Sequence, residues 1–166
     1  MGRCDSKKAR PRAVVPSERA IKNLQVHVRY SNHCFSRRLY EGEAPREEQV
    51  FPDHNNRPRV LCRDRFSLSF RLPEYLAGLN DPRTKVNQTV MRRNWAYVVR
   101  LEDAQGPYYV FFELERARNN SPDDLQLFVE SAYRLTEGFK QPQLRGRMGF
   151  QLLCGKVYLR ERVFTR

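Results

Sequence analysis

Regular patterning begins at Leu24. Leu24, Val26, Val28 and Tyr30 alternate with Gln25, His27 and Arg29, and a period of two with β-branched residues on the apolar side predicts a half-buried strand. The polar stretch from Ser36 to Pro58, which contains "DHNNRP", reads as a long loop. In "RVLCRDRFSLSFRL", Phe66, Leu68 and Phe70 alternate with Ser67 and Ser69, predicting a second strand bent near Arg63 and Asp64. The period then changes. In "LPEYLAGLND", Tyr75, Leu76 and Leu79 share a helical face, Pro73 suits a first turn and Asn80-Asp81-Pro82 ends it, so a short helix is expected. "TKVNQTVMRRN" fits a helix, a strand or a loop.

The clearest element is "NWAYVVRLEDAQGPYYVFFELERA", where two alternating apolar runs flank the turn residues Asp103 to Gly106. That pattern predicts a β-hairpin. "DLQLFVESAYRL" predicts a further strand, and "GFQLLCGKVYLRERVF" one or two more, divided at Gly155-Lys156. The expected fold is α+β: a curved, mostly antiparallel sheet of roughly five to seven strands with one or two short helices. Residues 1–22 carry seven basic and two acidic side chains and are broken by Pro11 and Pro16. They read as a flexible basic arm ahead of a single domain, 23–166.

Charge narrows the partners. The chain has 31 basic against 19 acidic residues, a net charge of +12. Arg supplies 25 of the 31, and its planar fork grips phosphate bidentately and stacks on bases as Lys does not. Such an excess draws polyanions, so nucleic acid, RNA ahead of DNA, is the expected partner. An acidic protein such as an antitoxin is the alternative. No run of about 18 apolar residues occurs, so no membrane span is expected. The N-terminal residues lack the apolar core of a secretory signal. Cys4, Cys34, Cys62 and Cys154 form no CxxC pair, which fits reduced thiols and a cytoplasmic location.

Candidate chemistry centres on "VHVRYSNHCFSRR", which holds His27 and His33 among three arginines. Imidazoles beside arginines are what RNA transesterification uses: one group takes the 2′-OH proton, another protonates the leaving oxygen, and guanidinium holds the phosphate. His27 and His33 are therefore candidate catalytic groups. Glu113, which shares a strand face with Tyr109 and Phe111, is a candidate base or a cross-strand ion-pair partner. Cys34 beside Arg37 and Arg38 could gain thiolate character. Zinc sites want paired ligands at short spacing, and none occurs, so no metal and no cofactor is expected. Tyr and Phe interleaved with Arg along the strands could stack unpaired bases.

The hairpin "YYVFFELER" followed by the strand "VESAYR" in a small basic chain resembles the barnase–EndoU–colicin–RelE superfamily of ribonucleases, over roughly Trp95 to Tyr158. Ser131-Ala132-Tyr133 is similar to a short signature on a late strand in several of its branches. The resemblance implies a metal-independent endoribonuclease of toxin or phage-element type, with Tyr133 at the site. It also implies a basic set that Arg93, Arg116, Arg134 and Lys156 could supply, and Arg29, beside His27 on the first predicted strand, is a further candidate to hold phosphate. One departure matters: no histidine follows His54, so any catalytic imidazole must come from the N-terminal part. A non-catalytic nucleic-acid-binding or protein-interaction module with a basic surface is the other reading.

Overall fold

The computed structural model describes residues 11–90, 94–99, 106–135 and 141–165. Its strands are β1 Arg12–Ser17, β2 Lys22–Tyr30, β3 Ser36–Arg38, β4 Val50–Pro52, β5 Pro58–Leu61, β6 Lys85–Thr89, β7 Asn94–Val99, β8 Tyr108–Arg116, β9 Leu125–Arg134 and β10 Leu144–Gly149. The helices are α1 Arg63–Ser69, α2 Leu72–Ala77 and α3 Phe150–Tyr158. A seven-stranded sheet runs β1-β2-β9-β8-β7-β6-β10, and a three-stranded sheet runs β3-β5-β4. Every pairing is antiparallel except β2 with β9.

Alternation decides which face is buried. Leu24, Val26 and Val28 of β2 lie with Leu125, Leu127 and Val129 of β9 and Val110 and Phe112 of β8 in one apolar layer. Helices cover it: Leu72, Tyr75 and Leu76 come from α2, and Phe150, Leu153 and Cys154 from α3. Phe150 meets Phe112 edge to face with ring centroids 6.0 Å apart. The opposite face carries His27, Arg29, Gln126, Phe128, Glu113 and Glu115. A slip in register between Phe111 and Phe112 lets β9 keep Val129 and Ala132 on the same buried side.

Four expectations are corrected. Residues 12–17, expected in a flexible arm, form the edge strand β1, because Val15 and Ser17 alternate inward and are 1% and 5% exposed; residues 1–10 lie outside the described residues. "RFSLSF" is the helix α1 rather than a strand. Its alternation is equally an i, i+4 pairing, and Phe66 and Phe70 touch edge to face at 4.9 Å. "FQLLCGKVY" is α3, with Phe150, Leu153 and Cys154 at helical spacing toward the core. Gly155 does not split it but lets it approach β1: a Cβ there would lie 2.8 Å from Ser17 Oγ and 3.0 Å from Arg19 Cβ. The polar loop from Ser36 to Pro58 contains β3 and β4, which flank β5 in the small sheet.

The hairpin stands as expected, with Asn94 to Val99 paired against Glu113 to Tyr108. Most of its turn, residues 100–105, lies outside the described residues. "TKVNQT" resolves as β6, an inner strand beside β10. No helix among the described residues is long and apolar enough to cross a membrane.

Candidate site at the His33–Asp53–His54 cluster

The turn after β2 places His33. Ser31 accepts a hydrogen bond from the His33 backbone N–H and opens a single 3-10 turn, Asn32–Cys34. Two contacts fasten this turn to the large sheet: Ser31 N–H donates to the Val129 carbonyl at 2.9 Å, and the buried Cys34 thiol faces the same oxygen. Burial pushes the Cys34 thiol up to about 12, so it is a packing group rather than a thiolate nucleophile.

The connection between β4 and β5 places the other two members. Asp53 Oδ1 accepts from the backbone N–H groups of Asn55 at 2.8 Å and Arg57 at 3.0 Å. Asn56 adopts the left-handed conformation, φ 59°, which Asn tolerates. These bonds, the one from Arg57 foremost, hold the Asp53 carboxyl down at about 2. Its Oδ2 stands 3.3 Å from His33 Nε2. The side chain of Asp53 is 4% exposed, against 25% for that of His33. His54 follows directly, exposed, with its ring centroid 6.1 Å from that of His33.

The Asp53 contact fixes the His33 tautomer. An ionised carboxylate only accepts, so His33 Nε2 carries the proton and Nδ1 keeps a free lone pair. Burial, then the nearby Arg59 charge, lowers the His33 pKa, outweighing the opposite pull of Asp53. The Asn55 amide stands 3.0 Å from His54 Nε2, where it can donate to a neutral ring or, turned over, accept from an imidazolium. His33 is thus prepared to accept a proton, and His54 can give one from its imidazolium form.

Arginines ring the pair. Arg38 on β3 lies directly across from Arg59 on β5. Arg59 bonds Ser36 Oγ at 2.8 Å and the Ser36 carbonyl at 3.0 Å. Arg65 from α1 donates to the carbonyls of His33 and Ser36 and lies 4.7 Å over the Tyr133 ring. Burial, then Arg65 and Arg38, lower the Arg59 pKa; like charges this close mark a spot that favours an anion. Among the described residues, the side chains of Arg38, Arg57, Arg59, Arg63 and Arg65 form no salt bridge. Arg12, Arg19, Arg37, Arg71 and Arg83 each have a carboxylate partner.

The donor set could also hold a metal: ligand atoms of His33, Asp53 and His54 lie within 4.8 Å of one another. Sequence spacing gave no such set, because Asp53 and His54 arrive from a different turn. The surroundings weigh against a cation. Asp53 is its only carboxylate, half committed to backbone N–H groups, and the Arg59 guanidinium is close enough to act on His33.

The remaining sequence candidates scatter. Tyr133 lies under Arg65 and stacks on Phe111 with centroids 5.4 Å apart. His27 lies elsewhere, its Nδ1 3.5 Å from Asp123 Oδ2, while Arg12 Nε meets Asp123 Oδ1 at 3.0 Å. Glu113 lines a shallow groove on the open sheet face with Arg29, Glu115, Gln126 and Phe128. Arg116 donates to the Tyr158 carbonyl and packs over that ring. Arg134 ends β9 opposite Tyr108. Lys156 donates to the Arg162 carbonyl and pairs with Glu161 at 3.7 Å. Arg93 lies outside the described residues. His54, Asp53, Arg59 and Arg65 were not singled out from the sequence. The one signal for them is the Asx-turn pattern in "DHNNR", which brings Asp53 back onto its own backbone.

An α+β chain with a mixed sheet, α2 and α3 on its apolar face and a histidine–arginine cluster at a small second sheet is the class of protein so defined. Residues 10–158 match the YjaZ family, and the chain belongs to that family. No curated protein and no solved structure matches it.

Proposed function

We propose that this protein is an RNA-directed endoribonuclease that works by transesterification, with His33 and His54 as its acid–base pair. His33 Nδ1 takes the proton of a 2′-OH, and the 2′ oxygen attacks phosphorus. As the new P–O bond forms, the bond to the 5′ oxygen breaks, and His54, in its imidazolium form, gives its Nδ1 proton to the departing oxygen and becomes neutral. The products are a 2′,3′-cyclic phosphate and a 5′-hydroxyl. Arg59 and Arg38 hold the phosphate oxygens and stabilise the charge that builds on them. Asp53 orients His33 and balances the imidazolium that forms.

The observation that carries this reading is the pairing of two imidazoles, their ring centroids 6.1 Å apart, inside a group of arginines without carboxylate partners. Each acid–base group contributes about 10²–10⁴-fold in such reactions. The test is incubation of the full chain with single-stranded RNA in EDTA, followed by mass analysis of the ends. Cyclic phosphate termini are expected, and they should disappear in His33→Gln. Intact RNA at high protein concentration overturns the proposal. Cleavage that needs added Zn²⁺ or Mn²⁺ overturns its metal-independent form and assigns the same three residues to a metal. The second reading, a non-catalytic nucleic-acid-binding protein, draws on the same arginines and predicts binding that survives His33→Gln.

A further inference from the structure

We infer that Phe66 and Phe70 on α1 are a stacking platform for unpaired bases flanking the phosphate held at the histidine cluster, so that single strands are the preferred polymer. This rests on the RNA-directed reading above and adds the strand type and the residues that read it. The helix is unusual in what it leaves outside. None of its residues is buried, and Phe66 and the adjoining Phe70 are 42% and 70% exposed. Their rings meet edge to face, 79° apart, which leaves ring faces turned to solvent. Core packing explains neither side chain, since Leu68 is the residue of this segment that packs against the core.

Position supplies the occupant. Phe66 directly follows Arg65, whose guanidinium bonds the carbonyls of His33 and Ser36. The first turn of α1 is tied to the same loop, with Cys62 N–H donating to the Phe35 carbonyl at 3.0 Å. Exposed Arg63, on the same helix, has no salt-bridge partner among the described residues. Aromatic faces interleaved with guanidinium groups that form no salt bridge among the described residues, next to a cationic cluster, suit a polyanion that carries flat bases. A duplex keeps its bases stacked inside and cannot offer them to the two rings.

The experiment measures binding of the full chain to a short fluorescent 2′-deoxy oligonucleotide, which cannot be cleaved by this route. The same strand made abasic and a hairpin duplex of equal length serve as comparisons. Wild type should bind the normal strand about tenfold or more tighter than the abasic one, as stacking of even one base provides. The double variant Phe66→Ala/Phe70→Ala should lose that preference while keeping its affinity for the abasic strand, and Phe66→Trp/Phe70→Trp should retain it. Equal wild-type affinity for normal and abasic strands overturns the inference, and that comparison stands even where the alanine variant misfolds. A concentration-dependent dimer that the alanine variant abolishes, with oligonucleotide affinity unchanged, also overturns it and assigns the patch to self-association. Failure to bind any oligonucleotide removes the RNA-directed reading itself, whereas base-blind binding removes only the platform.

Discussion

At the scale of single residues, the account makes His33 the base and Arg59 its regulator. Burial first, and then the Arg59 charge that opposes the imidazolium, hold the His33 pKa below the ordinary value. Arg59→Gln should therefore raise that pKa and move the acidic limb of the kcat/KM profile to higher pH, apart from any loss in rate. His54→Ala should lower kcat by about 10²-fold or more, with melting temperature close to wild type because His54 is exposed. Asp53 carries a stability term. Its carboxyl is depressed in the folded chain to about 2, so the stabilisation is present above the unfolded value near 4 and lost as pH falls through the folded one. Denaturation followed by circular dichroism should show that Asp53→Asn is less stable than wild type at neutral pH. The gap should close between about pH 4 and pH 2.

At the scale of elements, legibility followed periodicity. β2, β8 and β9 were readable because each buries one face and their side chains alternate over most of their length. α1 and α3 were not, because five residues of "FSLSF" satisfy a period of two and an i, i+4 pair alike, and because Gly155 reads as a break in the chain. Only tertiary packing shows that this glycine is a contact surface. Gly155→Ala tests that directly. Alanine favours the helix by up to about 1 kcal/mol, yet its Cβ meets Ser17 Oγ at 2.8 Å and Arg19 Cβ at 3.0 Å. The variant should be less stable by about 1–3 kcal/mol in urea titration, as overpacked sites are. Of the small sheet, β5 fell largely in the predicted strand that begins at Arg59, whereas β3 and β4 read as loop, since three residues are too few for any period to show. With that loop went Asp53 and His54. His33 was found because it sits beside a strong strand, and Tyr133 because its strand carries a signature.

At the scale of the whole molecule, net charge misleads unless pairing is counted. Arginine is spread over both sheets, but many of the guanidinium groups around the large sheet are matched with carboxylates or carbonyls, among them Arg12, Arg19 and Arg116. The proposed site draws on Arg38 of β3, Arg59 of β5 and Arg63 and Arg65 of α1, none of which forms a salt bridge among the described residues. Arg38→Glu with Arg63→Glu should weaken single-strand binding and reduce the slope of log K against log salt by about 1.4, the value for two lost phosphate contacts. Arg145→Glu with Arg147→Glu on β10, at the far edge of the large sheet, should leave the slope nearly unchanged.

The most direct measurement follows the ring protons of the chain's three histidines by NMR during titration with an uncleavable 2′-deoxy dinucleotide. Seating of a phosphodiester between two imidazoles predicts saturable shifts at His33 and His54, with His27, held by Asp123, unmoved. Shifts at His27 alone, or none at His33 and His54 up to millimolar ligand, would contradict it.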